Sequence, residues 1–275
     1  MGSLGPFSLE GLETDFVGQN PVYRPAIGST NDEARRLARA GAPEGTLVVT
    51  DYQTLGRGRL DRRWEAPAGS SLLISLVFRP ALAAHQVQRL TMISGLAAVD
   101  AIEAETGLQV GLKWPNDLVI GGAKLGGILT EIELEGSRVD YAVVGVGLNV
   151  NLDPGQLPQD LLVAATSLSH ELGRKVARLP LLYALLRAME VRYKALQAGQ
   201  LPQAEWAARL VSLGRPVAVS VMNSRLEGVA EGVDDDGALL LRLSDGRLET
   251  ILVGDVTVHR SEVLRHTNHC TAITD

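Results

Sequence analysis

The stretch KWPNDLVIGGAKLGGILTEIEL, residues 113–134, decides the fold. Runs of leucine, isoleucine and valine flank the glycine pair at 121–122, which predicts a β-hairpin that turns at those glycines. Pro115 fixes its own backbone and keeps the preceding residue extended. Asn116 and Asp117 are therefore held at a defined angle, where an amide can pair with a purine edge and a carboxylate can orient or deprotonate an amine. A simple turn is the alternative interpretation of these two residues.

Further strands are predicted on both sides of the hairpin, in LQVGLKW (108–114) and in RVDYAVVGVGLNVN (138–151). Residues two apart in a strand share a face. This alternation places one polar side chain beside glycine on each of three strands: Lys113 with Gly111, Lys124 with Gly126, and Asn149 with Gly145 and Gly147. Glycine weakens a strand, so its repetition favours a sheet face cleared for a ligand. Bulges or close helix packing are the alternative.

Helices and more strands are predicted around this central region. In STNDEARRLARAG (29–41) we predict a helix with Thr30 as the N-cap and Glu33 completing a capping box. Strands are predicted in GTLVVTDYQT and SSLLISLVFRP, and further helices at 85–106, 178–198 and 203–212. The first 27 residues show little periodicity and predict at most a short strand near Phe16 and Val17.

The pattern changes at Gly214, where short alternating runs are separated by NS, DDDG and SDG turns, as in a small β-barrel. We therefore expect a large first domain at 1–213, a barrel domain at 214–265 and a disordered tail at 266–275.

Composition describes an ordinary globular protein, with 45% hydrophobic and 21% charged residues in a chain of 275. No apolar run approaches the roughly 18 residues of a membrane span, and the first ten residues lack the pattern of a signal peptide. The single cysteine, Cys270, excludes an internal disulfide and fits a reducing cytoplasm. A net charge of −6 argues against sequence-independent binding to nucleic acid.

An arginine cluster stands out against this acidic background. The segment GRGRLDRRW, residues 56–64, holds four of the 26 Lys and Arg residues of the chain. Glycines beside the arginines let backbone N–H groups approach an anion, so the segment predicts an anion site, with a solvated loop as the alternative. A metal site is only weakly indicated, because His266, His269 and Cys270 lack a fourth ligand.

Five motifs in order between Ile27 and Asn151 resemble those of the biotin protein ligases: STNDEA, DYQTLGRGRLDRRW, KWPNDL, AKLGGILTE and VGVGLNVN. The resemblance implies an α+β fold, with a mixed sheet and flanking helices like that of class II aminoacyl-tRNA synthetases, followed by a small SH3-like β-barrel. Many bacterial members of that family carry an N-terminal helix-turn-helix that represses biotin genes. This sequence departs from that pattern, so we expect a ligase without DNA binding. The family includes homodimers and monomers, and both states stay open.

The resemblance also implies a reaction. Biotin and ATP form biotinyl-5′-AMP, and a lysine of a biotin carboxyl carrier domain, in acetyl-CoA carboxylase or a related enzyme, then takes the biotinyl group. Mg²⁺ is expected with ATP, although no carboxylate pair in the sequence announces its ligands. Lipoate ligation on a related fold and a catalytically silent biotin sensor are the alternatives. The segment from Gln53 to Arg59 and the KWPND motif favour biotin, and the intact cations Arg57, Arg59 and Lys124 favour an enzyme.

Residue roles follow from the same resemblance. Arg57 and Arg59 are expected to face the phosphate and carboxylate, with Lys124 reaching the same carboxyl oxygen and Asp117 steering the incoming lysine amine. The remaining biotin-binding residues are expected to be Ser29, Thr30, Asn31, Gln53, Gly58, Gly126 and Gly127. The remaining ATP- and adenylate-binding residues are expected to be Trp64, Lys113, Asn116 and Asn149.

Overall fold

The computed structural model describes residues 9–60, 62–156, 164–221 and 224–258, so the tail at 266–275 lies outside the described residues. Seven strands form the larger sheet: β1 (Asn20–Ile27), β2 (Thr46–Gln53), β3 (Ser71–Phe78), β4 (Gly111–Lys113), β5 (Asp117–Ile120), β6 (Ala123–Glu135) and β7 (Arg138–Asn149). Their order is β1-β2-β3-β7-β6-β5-β4. Strands β1 and β2 are parallel, and all other neighbours are antiparallel. The predicted mixed sheet is confirmed.

Five α-helices accompany the strands in the described part of the chain: α1 (Thr30–Arg39), α2 (Gln88–Thr106), α3 (Leu168–Leu172), α4 (Arg178–Gln197) and α5 (Gln203–Arg209). Strand β3 is buried along its whole length, because its mostly apolar residues lie between two layers of helix. On one face, Ile74 joins the main core, to which the apolar residues of α2 and α4 belong. On the other face, Val77 packs with Ala34 and Ala38 of α1. None of the described helices is long and apolar enough to cross a membrane.

The smaller sheet is entirely antiparallel. It consists of β8 (Pro216–Val221), β9 (Ser224–Val233), β10 (Leu239–Leu243), β11 (Leu248–Ile251) and β12 (Asp255–Val258), in the order β11-β10-β9-β8-β12. The short alternating runs predicted after Gly214 are these strands. The antiparallel strands agree with the expected SH3-like domain, and over residues 216–221 and 224–258 no pairing joins β11 to β12 to close the sheet.

The smaller sheet packs against the larger domain through its DDDG turn. The indole Nε1 of Trp114 donates to the carbonyl oxygen of Gly237 at 2.9 Å. Arg89 on α2 pairs with Asp236 at 2.8 Å. A buried indole N–H requires such a partner, so the tryptophan of the KWPND motif joins the two units.

Several local predictions were wrong. Phe16 and Val17 lie in turns, and the first strand is β1, whose two prolines obscure a strand pattern and are tolerated because it is an edge strand. The strand predicted at 108–114 pairs only over Gly111–Lys113. The helix at 203–212 ends at Arg209. The short helix α3 was not predicted.

The start of α1 also differs from the prediction. Its N-cap is Ser29, and no side-chain hydrogen bond caps the helix. Glu33 pairs with Arg36 at 2.7 Å instead of completing a capping box. The backbone N–H and the hydroxyl of Thr30 both contact Gln53 Oε1, at 2.8 Å and 3.1 Å. A tertiary contact therefore takes the place of the local cap.

Candidate functional site

A cavity lies between the N-terminus of α1, the face of the larger sheet and the arginine loop, which we define as residues 56–64. Most of the predicted site residues line it. They are Ser29, Thr30, Asn31, Gln53, Arg57, Gly58, Arg59, Trp64, Asn116, Asp117, Lys124 and Gly127. Motifs that are far apart in the sequence therefore meet in one place.

The first residues of α1 form a buried polar wall of the cavity. The Ser75 hydroxyl lies 2.8 Å from the Thr30 hydroxyl and 2.6 Å from Asn31 Oδ1. Asn31 Nδ2 donates to Glu131 Oε2 at 2.7 Å and to the carbonyl oxygen of Leu129 at 3.2 Å. A Cβ at Gly145 would lie 2.2 Å from Asn31 Oδ1, so only glycine leaves room for this side chain. Mutual hydrogen bonds fix the polar groups in place before a ligand arrives.

Trp64 lies against the sheet at the end of the arginine loop. A Cβ at Gly147 would be only 2.8 Å from the indole Cε2, so the missing side chain admits the ring. Within the described residues, the buried indole Nε1 has no hydrogen-bond partner. Buried donors are rarely left unpaired in native structures, so this N–H marks a position where a bound ligand can accept a hydrogen bond.

The cavity carries an excess of positive charge. Five cationic side chains and two carboxylates line it. The cations are Arg57, Arg59, Arg62, Arg63 and Lys124, and the carboxylates are Asp117 and Asp255. Burial lowers the pKa of the Arg59 guanidinium, and Asp255 and Asp117 oppose that shift. An arginine remains protonated near neutral pH even so. A cation-rich cavity in an acidic protein is suited to bind an anionic ligand.

Lys124 and Asp117 form an ion pair at 2.6 Å beside the polar wall. A β-bulge between Leu118 and Val119 shifts the register of β5 and β6, which places Gly127 beside Lys124. The prediction that Lys124 shares its face with Gly126 was therefore wrong. A Cβ at Gly126 would meet the carbonyl oxygen of Gly147 at 2.8 Å, on the other side of the strand.

Three predicted residues, Gly126, Lys113 and Asn149, do not line this cavity. Asn149 is buried, and its Nδ2 donates to the carbonyl oxygen of Thr166 at 3.1 Å. Lys113 ends the edge strand β4, and the space beside its neighbour Gly111 is filled by Val211. The ligand-binding roles of these residues stay predictions.

Asn116 lines the cavity and also supports its wall. Its Nδ2 donates to the carbonyl oxygen of Ile128 at 2.6 Å, and its Oδ1 is 3.5 Å from Arg59 Nη1. The side chain thus holds the start of β5 against β6 and meets a cation of the arginine loop.

Arg57 has partners that the sequence did not predict. Its Nη2 lies 2.6 Å from Asp32 Oδ1 on α1 and 2.9 Å from Glu131 Oε2 on β6. Both carboxylates lie in regions where sequence patterns indicate only a solvated helix face or a strand. No local signal could have identified them, because the pairing depends on where the loop folds.

Asp255 was also missed, because the smaller sheet was predicted to hold no site residue. It pairs with Arg62 at 2.5 Å and lies 3.9 Å from Arg59. The neighbouring carbonyl oxygen of Gly254 accepts a hydrogen bond from Arg59 Nη1 at 3.2 Å. The turn before β12 therefore contacts the arginine loop directly.

The carboxylates around the cavity bear on metal binding. In residues 9–60, 62–156, 164–221 and 224–258, no group of three His, Cys, Asp or Glu side chains could hold a metal ion. The two carboxylates of the cavity are already paired, Asp117 with Lys124 and Asp255 with Arg62. These side chains do not form a ready-made metal site.

Comparisons with known proteins point to one family. The Biotin/lipoate A/B protein ligase family matches residues 24–149, and the Biotin protein ligase C terminal domain matches residues 212–258. The chain is 39% identical over 238 residues to the Bifunctional ligase/repressor BirA of Bacillus subtilis, which covers 86% of this chain and 73% of that protein. It is 34% identical over 265 residues to the Biotin--[acetyl-CoA-carboxylase] ligase of Mycobacterium tuberculosis, which covers 91% of this chain and 95% of that protein.

A solved structure supports the same relationship. Biotin protein ligase from Aquifex aeolicus in complex with biotin and ATP matches with a TM-score of 0.74 and 28% identity, covering 88% of this chain and 100% of that one. The similarity therefore extends over the whole of the solved chain.

Proposed function

This chain belongs to the biotin protein ligase family, and from that premise we propose that it forms biotinyl-5′-AMP from biotin and ATP and then transfers the biotinyl group to a lysine of a carrier protein. The observation that carries the proposal is the cation-rich cavity beside the buried polar wall of α1. The wall suits a neutral ring with hydrogen-bonding groups, and the cations suit carboxylate and phosphate.

The first step joins two anions. A biotin carboxylate oxygen attacks the α-phosphorus of ATP, and the bond from that phosphorus to the pyrophosphate oxygen breaks. Repulsion between the carboxylate and the phosphate has to be offset, and preorganised cations in a site shielded from water can do so. Arg59 and Lys124 are the cations that we assign to this task, because both line the cavity close to Asn116 and Asp117.

The polar wall is assigned to the ureido ring of biotin. Gln53 Oε1 already accepts two hydrogen bonds from Thr30, so Gln53 can offer the ligand only its amide NH₂. Ser29 and Asn31 complete this end of the cavity. Trp64 then covers the adenylate and supplies its unpaired Nε1–H.

The second step transfers the biotinyl group to the carrier lysine. The neutral lysine amine attacks the biotinyl carbonyl carbon, AMP leaves with the electrons of the anhydride bond, and the amine loses a proton. We assign Asp117 to orient the amine, because it lies at the cavity wall and 2.6 Å from Lys124. When Lys124 turns to the ligand carboxyl group, Asp117 becomes available to the incoming amine.

Partners and conditions follow from this reaction. The client is a biotin carboxyl carrier domain, of acetyl-CoA carboxylase or of a related biotin enzyme. Mg²⁺ enters with the phosphates of ATP and keeps much of its water shell, as is usual for this ion. The use of ATP and the single cysteine support a cytoplasmic location. Strands β1 and β4 end the larger sheet. The outer edge of β4 already bonds to the backbone of Val211, so edge pairing of β1 is the arrangement compatible with a homodimer.

The decisive experiment is mass spectrometry of a purified carrier domain after incubation with this protein, biotin, ATP and Mg²⁺. One biotinyl group on one lysine is expected. Substituting lipoate for biotin tests the related ligation, and modification with lipoate alone would replace our proposal by that one. Biotin binding without release of pyrophosphate would identify a sensor instead of an enzyme.

A further inference from the structure

The ion pairs of Arg57 have a role other than contacting the ligand, and this role presupposes the proposed reaction. The guanidinium lies between two carboxylates from different elements, Asp32 on α1 and Glu131 on β6, at 2.6 Å and 2.9 Å. We call these three side chains the Arg57 clasp. They join the arginine loop to the two elements that form the opposite side of the cavity.

The clasp acts on both described arms of the loop, residues 56–58 and 62–64, because backbone contacts join them. The backbones of Arg57 and Arg63 form an isolated antiparallel β-bridge. The Gly58 N–H donates to the carbonyl oxygen of Arg62 at 2.7 Å, and the Trp64 N–H donates to that of Gly56 at 3.0 Å. Holding one side chain of the loop therefore holds both of its arms over the cavity.

The clasp is also connected to the ligand wall. Glu131 Oε2 accepts hydrogen bonds from Arg57 Nη2 and from Asn31 Nδ2, at 2.9 Å and 2.7 Å. One carboxylate oxygen thus contacts both the loop and a residue assigned to the ureido ring. Order in the polar wall and closure of the loop support each other.

The charges favour a structural role for the Arg57 side chain. Two carboxylates already surround it, so little of its charge is left for a phosphate. Arg59 differs, because among the described residues its ion-pair partner is Asp255, at the longer distance of 3.9 Å. Arg59 is the better candidate for neutralising phosphate, and Arg57 for keeping the loop closed.

We propose that Asp32 and Glu131 are positioning residues that hold the arginine loop closed through Arg57 and thereby set how long biotinyl-5′-AMP stays bound. Retention matters because the adenylate is a reactive mixed anhydride, which modifies other amines or hydrolyses once it is released. Opening of the clasp precedes release of the adenylate and exposure of the loop to solvent.

The test uses Asp32→Asn, Glu131→Gln and the double variant in the full chain. Glutamine at 131 keeps an acceptor for Asn31 and removes the charge that faces Arg57. Release of preformed adenylate is followed without carrier, by filtration and chromatography of the free nucleotide. We expect release to be about threefold faster for Asp32→Asn, which is more exposed, and about tenfold faster for Glu131→Gln. Single-turnover adenylate formation at saturating substrates should change at most about twofold.

Two control variants distinguish opening of the clasp from a general loss of ion pairs between α1 and β6. Glu131 also pairs with Arg35 of α1 at 3.4 Å, so Arg35→Gln removes that contact and leaves Arg57 paired. Glu133 lies on the same strand as Glu131, and Glu133→Gln removes its ion pair with Arg39 of α1. Both controls should retain the adenylate as the unchanged protein does. Equally fast release in Arg35→Gln would overturn the proposal.

Trypsin gives a readout that does not depend on catalysis. Trypsin cleaves after arginine, and the arginine loop contains four arginines. In the ligand-free protein, cleavage within the loop, identified by mass spectrometry, should be several-fold faster in the double variant than in Arg35→Gln. Equal cleavage rates would overturn the clasp. A protein that forms no adenylate but shows this difference would overturn the proposed function and leave the clasp intact.

Discussion

At the scale of single residues, Lys124 is the most direct test of the chemistry. It lines the cavity, pairs with Asp117 at 2.6 Å and lies 5.8 Å from the centre of the Trp64 ring. We expect Lys124→Ala to slow adenylate formation by at least about 100-fold, because a preorganised cation is lost from the reacting carboxyl group. Biotin-dependent release of pyrophosphate measures the effect. A normal burst from a variant with unchanged circular dichroism would remove Lys124 from the mechanism.

Two buried serines give a matched pair for stability. Ser212 is fully buried, and its hydroxyl has no partner among the described residues. Ser167 is equally buried, but its hydroxyl donates to the carbonyl oxygen of Leu152 at 2.6 Å and caps α3. Ser212→Ala should leave the free energy of unfolding unchanged or raise it by up to about 1 kcal/mol. Ser167→Ala should lower it by about 1–2 kcal/mol.

Urea unfolding of both variants measures this contrast. A clear loss of stability in Ser212→Ala would mean that its hydroxyl has a partner in solution. Similar values for the two alanine variants would contradict the assignment of their different hydrogen bonding.

Elements were predictable from the sequence where a local signal marks them. The hairpin of β5 and β6 turns at its glycine pair, as predicted, because both glycines take positive φ. The bulge opposite Leu118 and Val119, where β6 carries the extra residue Leu125, leaves no mark in the sequence, because a strand with one extra residue alternates like any other until it is paired. The prediction that Lys124 shares a strand face with Gly126 was wrong for that reason. The polar wall was predictable as a motif, whereas its partners Glu131 and Ser75 depend on tertiary packing.

The attachment of the N-terminal segment to helix α4 predicts a pH dependence. Glu190 accepts hydrogen bonds from the backbone N–H groups of Asp15, Phe16 and Val17, and from Lys194. Burial alone would raise the pKa of Glu190, but these hydrogen bonds together lower it to about 2. The carboxylate therefore stabilises the fold above its unfolded pKa near 4.5, and this stabilisation is lost as the pH falls from about 4.5 to about 2.

The expected contribution of Glu190 to the free energy of unfolding is about 3 kcal/mol near neutral pH. Glu190→Gln should be less stable than the unchanged protein at pH 6, and the difference should shrink towards pH 3. Urea titrations at both values measure it. A difference that does not depend on pH would show that the contacts stabilise through packing instead of charge.

At the scale of the whole molecule, the smaller sheet takes part in the site through Asp255. Asp255→Ala removes the partner of Arg62, so the arginine loop should be less well placed for phosphate. We expect the KM for ATP to rise about three- to tenfold, while the Kd for biotin, measured by calorimetry, changes at most about twofold. Asp245→Ala is the matched control, because it removes an exposed pair with Arg247 in the same sheet. An unchanged KM for ATP would show that the sheet does not act through this carboxylate.

The position of Trp64 gives the molecule an internal optical reporter. The chain has three tryptophans, and Trp114 and Trp206 are only 1% and 2% exposed in the core. Their emission should be insensitive to events in the cavity, whereas the Trp64 indole lines it and stands near the Lys124 cation. A change in intrinsic fluorescence on adding biotin or ATP should therefore come from one ring. Stopped-flow traces would then follow loop movement without a dye, and Trp64→Phe should abolish the signal.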